Sequence, residues 1–234
     1  MSGEKNLCCY KIKFSMECLA SVKSESVPYF RRYRENGECT HEFSEFLKKL
    51  AACGERILVK KIDLTDPSDR MWKRKRIISN RFLVRLSNHL EDMNEEKAFD
   101  DVDYIVIENQ LKKAENNRQI QFHMRSYFLG LFLTFKPVIF FPACYKTKMF
   151  GAPRIVYSST KNRMIKMTKY MRKKWATGKA REFMENMGDS EGVSMIYEKK
   201  GRRRVKADDE SDCLLQAFAF VMLVFVDGKT ELLQ

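Results

Sequence analysis

Three carboxylates stand where acids can do more than carry surface charge. Glu108 follows residues 102–107 (VDYIVI), an apolar, β-branched run expected to form a buried strand. Functional groups gather at the ends of such strands, where the backbone is rigid and the side chain reaches solvent. Position alone suits an ordinary loop Glu equally well. Asp209 and Asp212 lie three apart in DDESDCLLQAFAF, so on a helix they share a face. In the first turn the helix dipole favours each negative charge by about 0.3–1 kcal/mol, and Asp208 suits the cap. Capping does not account for Asp212, which sits beyond the cap in a very apolar helix. A carboxylate pair at that spacing, joined by a third from a strand end, makes a set of hard oxygen ligands for Mg2+ or Mn2+. Two such ions about 3.5–4 Å apart clamp the attacking and leaving oxygens of a phosphodiester.

Strands alternating with helices must position these acids, and the chain reads as an α/β layered domain with a mixed sheet. Residues 7–14 read as a strand continuing toward Val22, and residues 23–40 as a loop or insertion. Thr40 suits the cap of a helix over 41–53, with Phe43, Phe46, Leu47 and Leu50 at helical spacing. A strand follows at 56–64. Asp66-Pro67-Ser68-Asp69 reads as a helix start, with that helix running to about Lys97 on a face of Ile78, Phe82, Leu86, Leu90 and Met93. Beyond Glu108, a helix is expected over 116–135 and strands at 138–141 and 154–157. Ser159 or Thr160 is expected to open a basic helix reaching Asn186, and the last helix covers 211–226. Met164, Met167, Met171 and the neighbouring aromatics suit the core-facing stripe of the basic helix.

The net charge is +13. Residues 145–206 hold 18 Lys/Arg against 5 Asp/Glu, and the rest of the chain balances at 26 and 26. An excess confined to one segment fits a surface that meets a polyanion. Lys166, Lys169, Arg172, Lys173 and Lys174, with Tyr170 and Trp175 interleaved, are candidate phosphate contacts, and Arg202, Arg203 and Arg204 add a second cluster. A membrane-surface or partner-binding amphipathic helix is the competing reading. The seven cysteines show no Cys-x-x-Cys and no paired histidine spacing, so neither a disulfide framework nor a zinc site is indicated. Cys39-x-His41 is the nearest approach. A reducing, intracellular compartment fits. The apolar stretch 127–144 is cut by Lys136-Pro137, leaving each half too short to span a bilayer.

The order of motifs resembles a known family. Ile107-Glu108-Asn109-Gln110 at a strand end, then Lys206-Ala207-Asp208-Asp209-Glu210-Ser211-Asp212 opening a helix, is similar to the RuvC-type branch of the RNase H-like nucleases. The poxvirus-type and mitochondrial Holliday junction resolvases match best. The segment RIVY followed by Ser158-Ser159-Thr160-Lys161 also resembles the family. Similarity covers roughly residues 3–14 and 56–226, and residues 15–55 stand as an atypical insertion in a single domain, 1–234.

The resemblance implies an RNase H-like mixed sheet with flanking helices. It implies Glu108, Asp209 and Asp212 as metal ligands, with Asp208 the fallback, and Lys161 as a phosphate or transition-state contact. Two Mg2+ or Mn2+ ions, branched double-stranded DNA and a homodimer follow in the same way, in a viral factory, nucleus or mitochondrion according to source. Asn109 and Gln110 are expected to orient the Glu108 loop. Family members open on a strand ending in an Asp-x-Gly-x-Lys-Asn-like motif. Gly3, Lys5 and Asn6 match its second half, and Met1 falls where its metal-binding Asp would stand. Methionine offers a hard cation only a weak thioether. The central first strand and its Asp are therefore expected to be missing from this chain, leaving it poorly stable and inactive unless extended. A DNA-binding relic of the fold, or a related nuclease of other specificity, are the alternatives.

Overall fold

Serine and threonine set where four of the helices begin. Ser15, Thr40, Ser79 and Thr168 each accept, through the side-chain oxygen, the backbone N–H three residues on. Each thereby satisfies one of the donors left over at a helix start. The computed structural model describes residues 6–64, 78–133, 135–197, 199–200, 203–204 and 208–233. In chain order they form β1 (Asn6–Phe14), α1 (Met16–Ser24), α2 (Tyr29–Arg32), α3 (His41–Ala52) and β2 (Gly54–Asp63). Then come α4 (Asn80–Glu95), β3 (Ile105–Asn109), α5 (Glu115–Phe132), β4 (Val138–Pro142) and α6 (Cys144–Met149). The remainder holds β5 (Ile155–Ser158), β6 (Arg163–Lys166), α7 (Lys169–Met187), α8 (Ser190–Tyr197), β7 (Lys199–Lys200), β8 (Arg203–Arg204) and α9 (Asp208–Val221). A π-helical turn, Met222–Val226, continues α9, and a 3-10 turn spans Thr230–Leu233.

The chain is mixed α/β, and among the described residues its strands pair in twos: β1 with β2, β3 with β4, β5 with β6, and β7 with β8. β3 and β4 run parallel, Ile105 opposite Val138 through Asn109 opposite Pro142. A parallel pair needs a crossover, and α5 supplies it.

Two compact units divide the chain. The first comprises residues 1–11, 58–143 and 230–234, and the second residues 12–57 and 144–229. In the first unit, Phe82, Leu86, Leu90 and Met93 project from α4 into a core shared with Ile62, Ile105, Ile107 and Phe128. These α4 positions lie three and four apart, the helical stripe expected. Burying each such side chain contributes roughly 1.5–3 kcal/mol. In the second unit α9 is apolar on nearly every side, and Leu214, Leu215, Phe218 and Ala219 are sealed from solvent. Phe218 packs against Phe14 at 5.2 Å and Phe183 at 4.7 Å between ring centroids.

Several expectations are corrected. β1 does not continue toward Val22: Ser15 caps α1, whose Leu19 and Val22 turn inward. The helix ending at Glu95 begins at Asn80, because Ser79 is extended and caps it; the Asp66-Pro67 start lies outside the described residues. Residues 159–168 do not open the basic helix. Arg163–Lys166 is instead a strand returning on β5, and α7 starts at Lys169 behind the Thr168 cap. Its core-facing residues are Ala176, Ala180, Phe183 and Met184, whereas Met164 and Tyr170 are exposed. The cysteines are not all free. Cys18 and Cys53 form a disulfide that ties α1 to the end of α3, a pairing made by packing and unmarked by any sequence spacing. Among the described residues, no helix is long and apolar enough to cross a membrane. Within the stretch 127–144, α5 ends at Leu133 in a left-handed conformation before Lys136-Pro137, and β4 follows.

Candidate active site and basic surface

Glu108 is the fourth residue of β3, opposite Phe141 of β4. Ile105 and Ile107 face the core, so the two-residue alternation puts Glu108, half-buried, on the other face. The backbone just after it is held by Gln121, a buried side chain of α5. The Gln121 Oε1 accepts from the Gln110 N–H at 2.9 Å, and its Nε2 donates to the Asn109 Oδ1 at 3.3 Å. Asn117 Nδ2 donates to the Gln110 Oε1 at 3.3 Å. A buried amide with both ends engaged rigidifies its surroundings. Sequence reasoning missed Gln121, which lies in the polar first half of α5 beside a second glutamine, Gln119, with no local mark of its role.

Asp208 heads α9, and Asp209 and Asp212 follow within its first turn and a half, both half-buried. Ser211 between them is sealed from solvent. Asp212 forms an ion pair with Lys146 of α6, Nζ to Oδ2 at 2.9 Å, and the Lys146 side chain is only 12% exposed. Lys146 was not among the residues singled out from sequence; as one of two lysines in YKTKM it carries no local mark of its partner. Its ammonium shows the place to be one where Asp212 offers charge to a cation.

Glu108 belongs to the first unit, and Asp209 and Asp212 to the second. Among the described residues, no group of three or more His, Cys, Asp or Glu converges as a metal site. The donor chemistry itself fits a divalent cation, since carboxylate oxygens are the ligands Mg2+ takes. Met1, Gly3 and Lys5 lie outside the described residues, as do Arg202, Lys206 and Ala207.

The basic residues fall on three elements. Lys161 sits exposed in the turn between β5 and β6, its N–H directed to the carbonyl and hydroxyl of Ser158. Lys166, expected on a helix, is on β6 opposite Ile155 and exposed. Lys169, Arg172, Lys173 and Lys174 are exposed over the first two turns of α7, and Tyr170 is 76% exposed beside them. Later cations of the helix are partly neutralised: Lys179 pairs with Glu182 and Arg181 with Glu185. Arg203 and Arg204 stand in register with Lys200 and Lys199 on the short β7–β8 pair.

No family model matches the chain, and no solved structure matches it. It is similar to the uncharacterized protein 170L of Invertebrate iridescent virus 6, 30% identical over 129 residues. That match covers 50% of this chain and 50% of the viral protein, so the chain spans about half the relative's length.

Proposed function

We propose that the chain is a metal-dependent, structure-specific endonuclease acting on branched DNA such as Holliday junctions. The observation that carries the reading is where the acids stand: Glu108 lies near the carboxyl end of the parallel strand β3, and Asp209 and Asp212 lie in the first turns of α9. The carboxyl ends of parallel strands are where α/β sheets carry function. Glu108, Asp209 and Asp212 would hold the divalent ions, which when bound neutralise the scissile phosphate and activate water. Gln121 keeps the Glu108 loop in place. Lys161 and the first turns of α7 supply cations to the DNA backbone, where counterion release gives salt-sensitive affinity. Symmetric nicks across a junction need two active sites, hence a homodimer. In Mg2+ or Mn2+, a four-way junction is expected to be cut in preference to flaps and RNA–DNA hybrids. Asp212→Asn should abolish cutting while leaving junction binding intact or tighter; unchanged cutting would overturn the site assignment.

One observation favours a second reading, a DNA-binding relic of the same fold. Lys146 already answers the charge of Asp212. The relic binds junctions and shows no metal-dependent cleavage.

A further inference from the structure

The β5–β6 hairpin exposes a face that folding does not require. Antiparallel register puts Ile155 opposite Lys166 and Tyr157 opposite Met164, so these four share one side of the ribbon. That side faces outward: Ile155 is 50% exposed, and Tyr157 and Met164 are each 59% exposed. On the opposite side Val156, Ser158 and Ile165 are turned toward the protein, and Arg163, opposite Ser158, is exposed at the turn end. Leaving an aromatic ring, a thioether and a branched aliphatic chain together in water is costly unless something covers them.

The ring is also held in place. The Tyr157 hydroxyl bonds to the Asn162 Oδ1, and Asn162 occupies the left-handed region at φ 46°, so the turn is shaped around it. The charge nearby has one sign. No Asp or Glu occurs from Asn116 to Arg181, while Lys161, Arg163 and Lys166 are exposed on the hairpin itself. A flat apolar platform ringed by cations matches a partner that presents flat rings on a phosphate backbone. A duplex hides its base faces, so the fit is to unpaired bases.

We infer that the β5–β6 hairpin is a base-stacking platform, Tyr157 and Met164 receiving an unpaired base while Lys161 and Lys166 take the adjoining phosphates. This rests on the DNA reading above but not on cleavage. Binding is measured in EDTA with labelled oligodeoxyribonucleotides, one single-stranded and one fully duplex. Stacking is worth about 1–3 kcal/mol per base, so Tyr157→Ala should weaken single-strand binding by about 5- to 150-fold. Duplex binding should change less than about twofold, and Tyr157→Phe should keep most of the affinity. Quenching of 2-aminopurine placed in the single strand should disappear with Tyr157→Ala. Equal loss on both oligonucleotides, no loss on either, or binding to anionic phosphatidylserine vesicles that Tyr157→Ala abolishes while single-strand binding persists would each overturn the platform. Cleavage by a Tyr157→Ala protein of undiminished single-strand affinity would sink the platform alone. Tyr157-dependent binding with no metal-dependent cleavage would sink the nuclease alone.

Discussion

At the residue scale, Asp212 is the position on which the two functional readings part. Its ion pair with Lys146 occupies the carboxylate that, on the nuclease reading, a divalent ion would take. On the nuclease reading, Lys146→Ala should lower the Mg2+ concentration giving half-maximal cleavage, with DNA binding in EDTA changed less than about twofold. An unchanged Mg2+ requirement would place the ion elsewhere. The thiols offer a separate check. Burial, reinforced by neighbouring Cys8, pushes Cys9 up to about 12, and burial pushes Cys39 up to about 11. An unfolded thiol ionises near pH 8.5–9 whereas these stay protonated in the fold, so unfolding releases protons above pH 9. Stability from these groups is present below that point and is lost as pH rises from about 9 to 11; Tm should fall across that window. Iodoacetamide at pH 8 should modify exposed Cys144 well before Cys9 or Cys39, and alkylation of Cys39 at the Cys144 rate would contradict its burial.

At the element scale, what was legible in the sequence follows from where periodicity is unambiguous. The stripe of Phe82, Leu86, Leu90 and Met93 and the Thr40 cap each produced the element they suggest, because packing and propensity agree there. Within the hairpin over 155–166 the first strand was legible, whereas the turn and the returning strand read as the start of the basic helix. Met164, Met167 and Met171 stand at spacings of three and four that mimic a helical stripe, and nothing in STKNR advertises a turn as Asn-Gly would. Glu108 and Asp209/Asp212 could be singled out because they flank apolar runs; Gln121 and Lys146 could not, since their hydrogen-bond and ion-pair partners lie on other elements. Two substitutions probe the second unit. Gly151 has φ +72°, and a Cβ there would lie 2.5 Å from the Cys39 Sγ and 2.6 Å from its backbone N. Gly151→Ala should therefore destabilise by about 1–3 kcal/mol, read as a lower urea midpoint. The Cys18–Cys53 bridge spans 35 residues, and closing such a loop is worth about 3–4 kcal/mol by chain entropy. Dithiothreitol should lower Tm in the native protein and not in Cys18→Ser/Cys53→Ser; equal shifts in both would show the bridge absent in solution.

At the scale of the whole molecule, the acids proposed to act together come from both compact units, Glu108 from one and Asp209 and Asp212 from the other. β1 and β2 run through both units, and β3 and β4 stand as their own parallel pair. The most direct measurement is the cleavage of a labelled four-way junction in Mg2+ by the protein beside its Glu108→Gln and Asp212→Asn variants. Paired symmetric nicks from the unsubstituted protein, absent from both variants although they still bind the junction, are the result predicted. Junction binding without any metal-dependent nick, or nicking that survives both substitutions, would contradict it.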